Sequence, residues 1–217
     1  MARDDEERFL RRAARLAERG RGRTSPNPVV GAVLVRRGAV VGEGWHRKLG
    51  GAHAEVEALR AAGARARGAT LYVTLEPCNH RGRTGPCSEA LIAAGVRRVV
   101  YGVADPDRHG QARGAVRLRR AGVAVQEGRG TAAEACARVT AGYLTRTAHG
   151  RPLLTLKVAL TLDGRVATRT GHARWITGAA ARAHGRARRG RSDAVLTGAG
   201  TVRVDDPRLT ARVGRRG

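Results

Sequence analysis

Apolar side chains recur along this chain with two periods, and the switching between them predicts its elements. From Asp4 to Arg19, Phe9, Leu10, Ala13, Leu16 and Ala17 share one helical face, with acids in the first turn and Gly20 after the last. Short apolar runs from Val29 to Val35 and from Ala39 to Trp45 flank Arg36-Arg37-Gly38, which predicts two strands joined by a turn. A helix is expected from about Ala52 to Ala62, then a strand from Ala69 to Leu75 and a Gly/Pro-rich loop from Glu76 to Pro86. A short helix from Cys87 to Ala94 ends at Gly95. Further on come a strand from Arg98 to Val103, a helix from Ala115 to Ala121 stopped by Gly122, a strand from Val123 to Gln126 and a helix from about Ala132 to Thr145.

Strands alternating with helices predict an α/β fold, a mostly parallel sheet with helices on both faces. His149-Gly150-Arg151-Pro152 is the expected linker, which divides the chain into residues 1–148 and 149–217. The second part opens with an apolar run from Leu153 to Leu162, expected as a strand, and another strand is expected from Ala194 to Thr197, leading into Gly198-Ala199-Gly200 as a phosphate-facing loop.

Charge changes the picture less than its size suggests. The net charge of +24 raises nucleic acid as a partner, because clustered cations neutralise phosphates. Yet the arginines are spread along the whole chain, Lys48 and Lys157 are the only lysines, and aromatics make up 3%, so stacking platforms for bases are scarce. No apolar run approaches the ~20 residues of a membrane span, and Met1 to Arg8 is acidic rather than signal-like, so a cytoplasmic protein is expected. Three cysteines make no disulfide framework.

The candidate chemistry lies in the first part. His53-Ala54-Glu55, Pro77-Cys78 and Cys87 supply one imidazole and two sulfurs, three ligands of a tetrahedral zinc site whose fourth position stays open to water. Zn2+ acidifies that water, and Glu55 beside it can carry the proton without binding the metal, as in zinc base deaminases. His53 and Cys87 each fall at a predicted helix start, where thiolate is favoured. Cys136 lies in an apolar helical stretch with no partner ligand and is assigned to packing. Eight residues separate Cys78 from Cys87, where nucleic-acid base deaminases have two; the longer loop carries His80 and Arg83, donors suited to a phosphate.

With these motifs in view, the chain resembles the bifunctional deaminase/reductases of riboflavin biosynthesis. The resemblance rests on Ser25-Pro26-Asn27-Pro28-Val29-Val30-Gly31, Gly44-Trp45-His46, His53-Ala54-Glu55-Val56 and Thr74-Leu75-Glu76-Pro77-Cys78-Asn79-His80 through Cys87, and continues through Leu160-Thr161-Leu162-Asp163-Gly164, Trp175-Ile176-Thr177 and Asp205-Asp206-Pro207. It implies a cytidine-deaminase-like three-layer α/β/α domain followed by an incomplete dihydrofolate-reductase-like α/β portion. It also implies hydrolytic deamination of a diaminopyrimidinone ribosylamino phosphate, with Asn27, His46, His80, Arg83 and Asp105 holding the substrate.

For the second part the resemblance places NADPH near Ala159, Trp175, Thr201 and Asp205, and a substrate near Ala173, Arg189, Leu209 and Arg212. Three departures qualify it: Ala173 replaces a serine, Asp107 replaces an asparagine, and the chain reaches Gly217 without the later glycine-rich cofactor segment. An impaired reductase is therefore expected. The partner expected is a small phosphorylated pyrimidine, and such deaminases commonly assemble into homo-oligomers. The rival reading is a tRNA or other nucleic-acid base deaminase, or a basic zinc-containing nucleic-acid-binding protein.

Overall fold

The computed structural model describes residues 3–80, 85–107 and 113–211. It divides into two units, Met1–Leu153 and Leu154–Gly217.

The first unit is built on five strands: β1 (Gly31–Arg36), β2 (Ala39–Trp45), β3 (Thr70–Leu75), β4 (Arg98–Val103) and β5 (Ala124–Glu127), in the spatial order β2-β1-β3-β4-β5. Its helices are α1 (Arg3–Ala17), α2 (Ala54–Ala62), α3 (Cys87–Ala93), α4 (Gly114–Arg120) and α5 (Gly130–His149).

The sheet is mixed, which corrects the mostly parallel sheet expected from the sequence. β1 pairs antiparallel with both β2 and β3, while β3, β4 and β5 run parallel. The reason lies in connection length. Two residues between β1 and β2 allow only a hairpin, whereas α2 carries the chain back across the sheet so that β3 lands on the far side of β1.

Period-2 alternation sorts the strand residues into two cores. Ala32, Leu34, Leu71, Val73, Val99 and Tyr101 face one way and pack with Ala54, Ala58 and Ala62 of α2, Leu91 of α3 and Leu118 of α4. Val33, Val35, Tyr72 and Val100 face the other way against Phe9, Leu10 and Ala13 of α1 and Cys136 and Val139 of α5. The result is three layers, α/β/α. Cys136 is fully buried here, as packing requires.

The second unit differs from expectation. Residues 153–162 form no strand, nor do residues 194–197; the described residues of this unit contain α6 (Ala179–Arg189) and α7 (Ala199–Asp205) and no strand. Gly198 is the N-cap of α7, so Gly198-Ala199-Gly200 opens a helix instead of forming a free loop. A strand forms only where another strand takes its N–H and C=O groups, and the described residues of this unit contain no strand to do so.

Candidate metal centre and active site

His53 is the N-cap of α2, with extended backbone (φ −72°, ψ 160°), so its side chain stands at the helix start while Glu55 occupies the first turn. The helix lies close against β2 because glycine leaves room: a Cβ on Gly44 would stand 2.3 Å from the Ala54 carbonyl oxygen. On the next crossover, Cys87 is the first residue of α3, and the Ser88 N–H donates to the Cys78 carbonyl at 3.1 Å, which folds the loop ends together. The Ser88 hydroxyl also donates to Asn79 Oδ1 at 2.8 Å.

These elements bring three ligand atoms to one point. His53 Nδ1 lies 3.2 Å from Cys87 Sγ and 3.5 Å from Cys78 Sγ, and all three atoms fall within 4.8 Å of one another. Ligands of a tetrahedral zinc with ordinary bond lengths stand about 3.6 Å apart, so the donor set fits that ion in both spacing and chemistry.

The electrostatics point the same way. A hydrogen bond from the Cys87 thiol draws the Cys78 sulfur down to a pKa of about 4, with His53 and the Cys87 N–H (3.4 Å) assisting. Cys87 is pushed up by the same partner and by burial. His53 is raised by its hydrogen bond with Cys78. Two sulfurs thus compete for one charge, a competition that a bound dication removes.

Glu55 is buried, and burial is the main reason its carboxyl is pushed up to about 7; the Cys78 charge adds to the rise and His53 opposes it. A carboxyl poised near neutrality is suited to accept and return a proton.

Above this cluster opens a cavity of about 250 Å³ lined by Asn27, His46, His53, Glu55, Cys78, His80 and Asp105, and further by Pro26, Pro28, Val30, Leu75, Glu76, Tyr143 and Arg146. Four of the five substrate residues suggested by the family resemblance therefore share one pocket with the metal ligands; the fifth, Arg83, lies outside the described residues. His46 is buried, its Nδ1 lies 3.0 Å from the Ala52 carbonyl and its Nε2 3.4 Å from the Asn27 amide nitrogen. That pairing assigns the proton to Nδ1, and burial lowers the His46 pKa, which keeps the ring neutral.

Sequence reasoning passed over Glu76 as a functional residue and did not single out Tyr143 or Arg146. Glu76 accepts from the Ala115 N–H at 2.9 Å, in the first turn of α4, and from the Asp105 N–H at 3.4 Å. It thereby ties the loop after β4 to the end of β3. Its adjacency to Pro77-Cys78 was the one available signal. Tyr143 donates to both Asp105 oxygens, at 2.9 and 3.2 Å, across 38 positions of sequence; no local pattern announces such a pair. Asp107 meets Asp105 through its backbone N–H at 3.0 Å.

In the second unit, Trp175 is exposed with the Arg182 guanidinium 4.3 Å from its ring centre, and Arg174 reaches Asp205 at 3.5 Å. Arg189 donates to the Thr210 carbonyl at 3.1 Å, beside half-buried Leu209. Ala159 is half-buried, Ala173 and Thr201 are exposed, and Arg212 lies outside the described residues.

Residues 3–103 match the cytidine and deoxycytidylate deaminase zinc-binding region, and residues 152–216 match the RibD C-terminal domain. The riboflavin biosynthesis protein RibD of Escherichia coli is 48% identical over 207 residues, covering 95% of this chain and 56% of that protein. Acinetobacter baumannii RibD superposes with a TM-score of 0.87 at 45% identity, covering 96% of this chain and 58% of that one. A diaminohydroxyphosphoribosylaminopyrimidine deaminase/5-amino-6-(5-phosphoribosylamino)uracil reductase from Thermotoga maritima superposes with a TM-score of 0.91 at 41% identity, covering 98% and 60%. The chain thus spans a little over half the length of these relatives. No helix among the described residues is long and apolar enough to cross a membrane.

Proposed function

Since this chain belongs to the family of bifunctional riboflavin-biosynthesis deaminase/reductases, we propose that residues 1–148 form a zinc-dependent deaminase acting on diaminohydroxyphosphoribosylaminopyrimidine. The observation that carries the reading is the convergence of His53, Cys78 and Cys87 beside buried Glu55 at one pocket. In it, His53, Cys78 and Cys87 hold Zn2+ and Glu55 is the catalytic acid/base. Bound zinc supplies Lewis acidity that lowers the pKa of the attacking water towards ~7.

The remaining steps belong to the chain's own side chains. Glu55 takes a proton from the water that adds at the amine-bearing ring carbon. It passes that proton to the ring nitrogen, then takes a second from the hydroxyl now on the ring carbon and delivers it to the departing amine, so that water is consumed, ammonia leaves and a carbonyl remains. Neutral His46 orients the Asn27 amide, which offers its remaining hydrogen bonds to the pyrimidine edge, and His80, Arg83 and Asp105 hold the ribose phosphate. Burial of Glu55 keeps bulk water from competing for its proton.

Residues 149–217 would be the reductase part, with NADPH meeting Ala159, Trp175, Thr201 and Asp205, and substrate meeting Ala173, Arg189, Leu209 and Arg212. Four of the seven that the structure describes are exposed, which favours little or no NADPH oxidation by this chain. Cytoplasmic location and assembly into a homo-oligomer complete the reading. The first is supported by the need of the ligand cysteines to stay reduced, and the second rests on the family alone.

Purified protein assayed separately for bound zinc, ammonia release and NADPH consumption tests this. One zinc per chain and ammonia release are expected, with Glu55→Gln keeping the zinc and losing about 10²–10⁴-fold in kcat. Folded protein without zinc and without ammonia release overturns the reading. The nucleic-acid alternative predicts tRNA binding that persists above physiological salt and is indifferent to Glu55→Ala; the long loop between the cysteines argues against it.

A further inference from the structure

The pocket has a wall that the zinc motif does not supply, the inner face of α5. Tyr143 and Arg146 are three positions apart on that helix and so project on one side, and both line the cavity. They differ in depth. Tyr143 is half-buried and gives its hydroxyl to both oxygens of Asp105, whereas Arg146 is exposed and stands at the rim, where its Nη2 donates to the Pro26 carbonyl at 3.3 Å.

Charge divides the pocket in the same direction. Glu55, Glu76 and Asp105 are all carboxyl groups of the lining, and Arg146 is the single arginine or lysine among the described residues that line it. A substrate whose ring enters at Glu55 and whose tail ends in a phosphate dianion passes the acidic side chains of the lining and meets a guanidinium at the rim. A guanidinium there can grip two phosphate oxygens in parallel. Asp105, whose carboxylate accepts from the Tyr143 hydroxyl and the Asp107 N–H and whose own N–H donates to Glu76, is oriented to accept from hydroxyl groups of the sugar between ring and phosphate.

We infer that the α5 face reads the tail of the substrate: Arg146 binds the phosphate, and Tyr143 is a positioning residue that aims Asp105 at the ribose. This rests on the deaminase reading above and specifies its substrate discrimination. It also gives α5, which otherwise packs on the sheet and α1, a part in specificity.

The test compares ammonia release from the phosphorylated substrate and from its dephosphorylated counterpart, in wild type, Arg146→Ala, Arg146→Lys, Arg83→Ala and Tyr143→Phe, each checked for wild-type zinc content. Loss of a charge-assisted contact should cut the kcat/KM preference for the phosphorylated compound on the order of tenfold to a hundredfold in Arg146→Ala, with Arg146→Lys recovering part of it. Tyr143→Phe should raise KM about fivefold for both compounds and leave their ratio alone, and Asp105→Asn should add little to it.

A preference unchanged in Arg146→Ala, or one lost only in Arg83→Ala, overturns the assignment of Arg146. A Tyr143→Phe effect on kcat with KM unmoved overturns the positioning role. Should wild type release ammonia from neither compound, the reaction itself is wrong, and calorimetry with ribose 5-phosphate still decides this proposal: binding weakened in Arg146→Ala supports it, and equal binding overturns it.

Discussion

Two stretches of this chain are apolar enough to be expected as strands and meet different fates. In β1, Ala32, Val33, Leu34 and Val35 are buried to 3% exposure or less, because β2 and β3 flank the strand and helices cover both faces. From Leu154 to Leu162 apolar residues alternate with Thr155, Lys157, Ala159 and Thr161 in strand fashion. Yet Leu154 is 79%, Leu156 87% and Leu162 108% exposed, and no strand is formed. Hydrophobic alternation is a demand for a partner, not a guarantee of one. An unpaired strand leaves its amides to water and gains nothing from its apolar face.

Hydrogen exchange probes this contrast with the largest expected effect. Amides of β1, β3 and β4 should be protected by at least about 10³-fold, following the global stability of a folded domain, while those of residues 154–162 exchange near the rate of free peptide. Comparable protection in the two stretches would break the comparison outright, and would mean that the second unit finds strand partners in solution.

The core also buries a charge-bearing group that the second unit has no means to bury. Glu55 rises from an ordinary 4.5 to about 7, which at about 1.4 kcal/mol per unit costs metal-free protein ~3 kcal/mol at neutral pH. At pH 4 both folded and unfolded chains hold the proton. Between 4.5 and 7 the unfolded chain has released it and the folded one has not, so stability falls as pH rises and levels off above 7. Chemical denaturation of metal-free protein from pH 5 to 8 should show this decline relative to Glu55→Gln. Parallel curves for the two proteins would remove Glu55 as its source.

A smaller effect separates tight packing from open space. A Cβ on Gly114 would stand 1.7 Å from the Pro77 carbonyl oxygen, beside the Cys78 ligand, whereas one on Gly185 of α6 meets only Lys157 Cε at 3.5 Å. Gly114→Ala should destabilise the first unit by about 1–3 kcal/mol and loosen zinc. Gly185→Ala should leave the thermal midpoint of the first unit where it was. Equal midpoints for both variants would show that the loop after β4 yields more easily than its packing implies.

The metal ligands and the acid/base were legible as a spacing of residue types, and so were the helix starts on which His53 and Cys87 stand, because capping and period are local properties of the chain. Less could be read of what depends on distant partners. The direction of β1 against β3, the ties of Glu76 to Asp105 and Ala115, and the pairing of Tyr143 with Asp105 join segments 29 to 41 positions apart, and nothing within either segment encodes the other.

The sequence by itself therefore determined the chemistry: which side chains are present, in what order, and at which ends of which elements. Tertiary structure alone decided that three of them share one point, that Glu55 loses its water and shifts its pKa, and that α5 closes the pocket. It decided equally that the alternating run after Leu153 stays unpaired. Local propensity acts through bonds and near neighbours, while burial and strand pairing are collective, and they exist only where enough of the fold is gathered to supply the other side of each contact.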